Sequence, residues 1–255
     1  MEVTENYRKV LEKVFFRSFF LQALWNFKGM QNAGFLFAIK PVLDFIYKND
    51  EDKKNAYLRH MDFFNTHPYC ASYILGCAAA AEVRYSKTRN AADLRDISGV
   101  KKILGGPVAA FGDSKIWGTV RPFAALLGTI IFFLFSKNVT FMWAGPVAAF
   151  LFYNIIHIGI RWRGIFRGFT QGESAFEGLF TGRGHKSFGY MRIIAIVLVS
   201  FLLVKGFMAE ASSIWVKLSY PVFFVTLAVF VRSVSATALF YIVVVAGGIF
   251  ARYCH

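Results

Sequence analysis

Cysteine is scarce in this sequence, and its three copies are poorly placed for chemistry. Cys70 and Cys77 lie in one apolar stretch, and Cys254 stands far from both. That spacing builds neither a disulfide framework nor a metal-ligand set, so buried thiols are the expectation. Charge is scarce too: Asp, Glu, Lys and Arg make up 17% of the 255 residues, against about a quarter in soluble domains. Acid is the scarcer sign, with 15 carboxylates against 29 basic side chains and a formal charge of +14. Also missing are a Ser/His/Asp set and a dinucleotide loop, which disfavours a membrane-embedded enzyme. No cofactor and no catalytic residue are expected.

What remains is grease and aromatic rings. Hydrophobic residues make up 56% and aromatic residues 18%, including 30 Phe. The basic side chains sit between apolar runs rather than on a polar domain. That pattern fits anionic phospholipid and the positive-inside rule, not nucleic acid. The expected class is an all-α, polytopic membrane protein.

The two halves differ. Residues 1–14 are polar and read as a cytoplasmic amphipathic start, with 15–255 as one membrane domain. Phe15–Tyr47 is aromatic but laced with Gln22, Asn26, Lys28, Gln31 and Asn32, so it belongs at an interface or against protein. Asn49–Arg59 reads as a charged turn and helix start. Pro68–Ala81 is too short to span, since a span needs about 20 apolar residues. Ile103–Phe111 is shorter still and holds Gly105, Gly106 and Pro107. Both runs predict re-entrant hairpins in the N-terminal half of a helical bundle, sheltered by protein or cavity water. Pro122–Ser136 and Val139–Ile160 predict two spans joined by a tight turn at Lys137-Asn138. Tyr190–Gly206 predicts a third, and Tyr220–Phe250 one or two more, broken at Arg232-Ser233. The basic loops at 84–121 and 161–192 are expected on the cytoplasmic face.

Four segments in series carry a resemblance. They are Arg17-Ser18-Phe19-Phe20-Leu21-Gln22-Ala23 with Trp25-Asn26 and Met30-Gln31-Asn32; Phe63-Phe64-Asn65-Thr66-His67-Pro68-Tyr69; Gly106-Pro107 with Gly112-Asp113-Ser114 and Trp117-Gly118-Thr119-Val120-Arg121-Pro122; and Tyr153-Asn154 with His157 and Arg161-Trp162. In order and spacing this series resembles the IID component of the mannose family of phosphotransferase systems. Lys28-Gly29 departs from it, standing where the family usually has an acidic–basic pair. The resemblance implies a bacterial inner-membrane, multi-pass transport subunit with no phosphorylation site of its own. It implies a IIC membrane partner, IIA and IIB phosphocarriers, a hexose or amino-sugar substrate, and a trimer of IIC–IID pairs. The alternative is a non-transporting scaffold, or the receptor subunit that bacteriocins exploit.

A sugar site needs amides, carboxylates and an aromatic face, sheltered from water. Asn65, Thr66 and His67 precede Pro68, which holds its neighbour extended, so they read either as hydroxyl recognition or as a self-satisfied turn. Asp113, Ser114 and Trp117 read as acceptors with a stacking ring. In the competing structural reading, Asp113 caps a helix and pairs with Arg121. Asn154, His157 and Arg161 share one side of an apolar helix and read as a gating or structural seam. Glu173 and Glu177 suit a salt-bridged surface. Gly182–Ser187 lacks the spacing and leading strand of a phosphate loop.

Overall fold

The computed structural model describes residues 3–135, 138–176 and 187–199. The chain divides into two compact units, Met1–Ala195 and Ile196–His255. The expectations for Tyr220–Phe250, for most of Gly182–Ser187, for Glu177 and for the end of Tyr190–Gly206 lie outside the described residues. Those residues hold helices and no strand.

Helix α1 (Glu5–Ser18) begins in the polar start and runs on across the boundary expected at residue 15. It buries Val10, Leu11, Val14 and Phe15, which recur at helical spacing. The chain reverses through 19–31 into α2 (Asn32–Ile46). The two helices pack antiparallel: Tyr7 meets Phe45, Phe20 meets Phe37, and the backbone of Leu21 lies against Gly34. Asn26, Asn32 and Gln31 hold this reversal together. Asn26 donates to Asn32 at 2.9 Å and accepts from the Gly29 amide, while Asn32 reaches the Met61 carbonyl. The amides that crowd this stretch therefore satisfy backbone that no regular element serves.

Helix α3 (Asp50–His60) is set by its ends. Asn49 caps it through the Glu51 amide, acids fill the first turn, and Arg59 and His60 close the last. An irregular climb through 61–70 leads to α4 (Ala71–Thr88), which is buried from Ala71 to Val83. Arg89, in left-handed conformation at φ 52°, ends α4, and Asn90 caps α5 (Ala91–Gly112). Ion pairs gather at that turn: Arg89 with Asp52, and Arg84 with Asp93 and Asp96. These charges mark the wet end of the bundle.

The hairpin expected at Ile103–Phe111 is absent. Those residues lie inside α5, which continues through a π-helical segment (Asp113–Val120) into α6 (Arg121–Leu134), unbroken from Ala91 to Leu134. Pro107 removes one N–H and crowds the carbonyl four residues back. Gly105 and Gly106 bring no side chains to that crowding, and Thr66 Oγ1 donates to the Gly105 carbonyl at 2.8 Å. The run Pro68–Ala81 likewise leads into one continuous helix, α4, from Ala71 onward, and its reversal lies upstream, in 61–70.

Asn138 caps the short α7 (Val139–Met142), and α8 (Ala144–Gln171) follows. At 28 residues, α8 is about 42 Å long at 1.5 Å per residue. Among the described residues, two helices, Ala91–Leu134 and Thr140–Gln171, are long and apolar enough to cross a membrane. Both exceed the expected spans: the first takes in the run Ile103–Phe111 and the π-helical segment, and the second continues past Ile160 through the basic residues Arg161, Arg163 and Arg167. A further helix, α9 (Ser187–Val199), is apolar and shorter.

Glycines set how α8 packs. Its first half runs antiparallel to α6, where Gly128 faces Gly145 so closely that a Cβ on Gly145 would meet the Gly128 carbonyl. Its second half runs parallel to α4. Ser72 and Tyr73 lie on Gly164, and Gly76 lies between Ile165 and Phe169. Small residues allow such backbone contact between apolar helices.

Candidate functional site

The parallel packing sets a depth. Tyr69, just ahead of α4, stacks on His157 with ring centroids 4.4 Å apart, and His157 stands near the middle of α8. The loop carrying Asn65, Thr66 and His67 is therefore level with the middle of a spanning-length helix. The π segment lies alongside: the His67 ring packs 4.6 Å from Trp117 and fills the place where a Cβ on Gly112 would stand.

Around Tyr69 gather His67 of the same loop and Tyr153, His157 and Arg161 of α8. Its hydroxyl accepts from Tyr153 at 3.2 Å. His67 meets its edge at 5.2 Å, and the Arg161 guanidinium lies 5.0 Å from its ring. Arg161 also lies over Phe19, and its Nη1 donates to the Ser18 carbonyl at 2.6 Å and to Ser18 Oγ at 3.1 Å. Three groups in this cage are buried with polar atoms lacking partners: both ring nitrogens of His67, Nδ1 of His157 and Nε of Arg161.

The other expected residues divide. Thr66 is satisfied internally, through Gly105 and through both ends of the Gln31 amide. Asn65 is exposed, as are Asp113, Ser114, Trp117 and Arg121 on the outer side of the π segment. Asp113 and Arg121 form no ion pair with each other. Asn154 turns back to its own helix, donating to the Phe150 carbonyl, while His157 and Arg161 enter the cage. Glu173 is exposed.

The open groove between α6 and α8 measures about 350 Å³. Thr129 is its one side chain with a hydroxyl, and that group donates to the Ala125 carbonyl. Its lining is otherwise apolar and offers a sugar nothing.

A second buried polar cluster has no counterpart among the motifs. Glu82, fully buried in α4, accepts from Arg59 Nε at 2.7 Å, His60 Nε2 at 2.8 Å and the Tyr47 hydroxyl at 2.6 Å. Burial alone would raise the Glu82 carboxyl, but hydrogen bonds from His60 and Arg59 outweigh it and hold the pKa low, at about 2. Burial pushes His60 down, so it serves as a neutral donor. Burial and the neighbouring carboxylate raise the Tyr47 hydroxyl. The one sequence signal was a lone Glu closing the apolar run Ile74–Ala81.

The description "PTS system mannose/fructose/sorbose family IID component" matches residues 7–232. This chain belongs to that family. The mannose-specific EIID component of Escherichia coli K12 is 39% identical over 162 residues, 62% of this chain and 54% of that protein. The fructose permease IID component of Bacillus subtilis is 29% identical over 215 residues, 84% of this chain and 72% of that protein. The match to the E. coli relative thus spans about half of that protein's length. Two solved structures share the fold at 26% identity. One is a membrane protein (TM-score 0.68, 98% of each chain), and the other comes from the cryo-EM complex of the mannose transporter ManYZ with microcin E492 (TM-score 0.59, 97% of each chain). As a IID component with spanning-length helices, the chain is a membrane protein.

Proposed function

We propose that this chain is one half of a sugar-translocating pair in a bacterial inner membrane, crossing it several times and working with a IIC subunit. On this reading IIA and IIB phosphocarriers phosphorylate the hexose or amino sugar, the pairs assemble as trimers, and the chain transfers no phosphoryl group itself. Residues 15–255 act as one membrane domain, with 1–14 at its cytoplasmic edge. The reversals at 19–31 and 61–70 are the tips of two re-entrant hairpins, entering from the wet end and returning to it.

One observation carries this reading. A non-helical loop bearing Asn65, Thr66 and His67 lies at the mid-height of α8, beside Trp117. Irregular polar backbone is tolerated at that depth only where protein or cavity water surrounds it, and broken segments there are where transporters bind substrate. Asn65, Asp113 and Ser114 face outward, where a pocket shared with IIC would find them. In this arrangement they bind hydroxyls, Trp117 supplies the stacking face, and Arg121 and Asn154 gate or brace it.

In a strain deleted for both membrane subunits, co-expression should restore sugar uptake and either subunit alone should not. Asn65→Ala and Asp113→Asn should each cut uptake at least about tenfold, roughly 1.4 kcal/mol, while the pair still co-purifies. Uptake by this chain alone would reject the pair; full uptake in both variants would reject the site. The second reading, a bacteriocin receptor or scaffold, draws on the match to a chain solved with microcin E492. It expects bacteriocin sensitivity to persist in both variants.

A further inference from the structure

Arg161 raises a question that transport of a neutral sugar leaves open. It is 4% exposed in the middle of α8, and no carboxylate of the described residues lies within 4 Å of it. A buried cation without a counter-charge is costly, and such residues mark ligand or ion paths. Its bonds to Ser18 do not account for the charge. Both leave from one nitrogen, and a bracket between α1 and α8 requires hydrogen bonds, not a cation. Nε has no partner, and the same holds for both nitrogens of His67 and for Nδ1 of His157. All three residues surround one phenol ring, Tyr69. Each ring can offer an N–H, and the guanidinium offers a fork that matches oxyanions.

We propose that the Tyr69 cage is an oxyanion site for a phosphate group, either the free ion or a phosphate monoester. Arg161 supplies the charge, and His67 and His157 supply donors. The site goes beyond the transport reading and does not depend on it. The other anion to weigh is a carboxylate of a partner subunit. Phe19, Tyr69 and Ser18 of the same chain close over Arg161, which favours a small diffusible ion over a side chain from outside.

The test uses the full chain co-expressed with its neighbouring membrane subunit, in nanodiscs. Inorganic phosphate, mannose 6-phosphate and mannose are titrated separately against tryptophan fluorescence. Trp117 lies against His67 and reports on the cage, and Trp117→Phe provides the blank. Saturable responses to phosphate or the ester are expected, and Arg161→Gln should weaken them at least about tenfold through loss of charge-assisted bonds. Mannose binding should change less than about threefold. A response to both anions marks a free-ion site, and a response to the ester alone marks a sugar-phosphate site; either supports the proposal. If Arg161→Gln does not assemble, Arg161→Lys should still prefer anions over mannose. No anion response, or an equal one in Arg161→Gln, overturns the proposal. So does a pair that ignores anions but separates in Arg161→Gln, which would assign Arg161 to a partner carboxylate. Mannose binding without anion binding would spare the transport reading alone, and the reverse would spare the cage alone.

Discussion

Glu82→Gln is expected to lower the thermal midpoint of the purified chain by several degrees, although residue 82 touches none of the motif residues. The amide keeps the shape but not the charge, leaving Arg59 without its carboxylate. Removing one partner of a buried pair costs about 3–5 kcal/mol, and the lower end applies because the Arg59 side chain is 15% exposed. Arg59→Gln combined with Glu82→Gln should recover part of the loss, since it removes the stranded cation. A single variant as stable as the parent would show that the cluster is incidental.

The same cluster sets a response to acid. The Glu82 carboxyl titrates at about 2 in the folded chain, against an ordinary value of 4.5. Its contribution is therefore complete above about 4.5 and is lost as pH falls towards 2, on the order of 3 kcal/mol in all. His60 has a lowered pKa, so it also stabilises the fold above its ordinary value of 6.5 and opposes it below. Midpoints measured from pH 7 downward should first fall near 6.5 and fall further below 4.5. In Glu82→Gln the second decline should shrink.

The second large effect belongs to the seam between α4 and α8. A Cβ on Gly168 would stand 2.4 Å from the Tyr73 carbonyl oxygen, and one on Gly76 would stand 2.3 Å from that of Ile165. Both obstacles are backbone, so no side-chain rotation relieves them. Overpacking typically costs about 1–3 kcal/mol, and here the helices must part along their length. Gly168→Leu and Gly76→Leu should both fail to yield a monodisperse protein. Gly99→Ala is the control, because its nearest neighbour is a side-chain methyl at 4.0 Å. It should hold or gain a few tenths of a kcal/mol from helix propensity. A monodisperse Gly168→Leu chain would mean that the seam is looser than drawn.

The membrane class and the helical bundle were legible because they rest on composition and long apolar runs. The polar N-terminal stretches hold amides such as Asn32 and Gln31, which need partners and find them in backbone 29 and 35 residues further along the chain. The place of the reversals was not legible. Gly105-Gly106-Pro107 has the local chemistry of a break, yet α5 runs on past it, with Thr66, 39 residues upstream, bonded to the Gly105 carbonyl. The i, i+4 spacing of His157 and Arg161 did predict a shared face, but Asn154 has its own carbonyl within reach and uses it. The Glu82 cluster was invisible because its members come from α2–α3, α3 and α4, and no spacing records that meeting.

The π-helical segment bears on how this chain tolerates changes in length. A π turn is an α-helix widened to i→i+5 bonding, as an inserted residue would widen it. Deleting one residue between Asp113 and Val120 would let ordinary bonding close the gap, with little change in overall reach. A deletion within the ordinary α-helical turns of α6 has no such slack: the remainder of the helix would rotate about 100°, one residue's turn, carrying Gly128 away from Gly145. Homologues should therefore tolerate a one-residue change inside this segment but keep the count between it and Gly128, because that count phases the outer half of one span against the next.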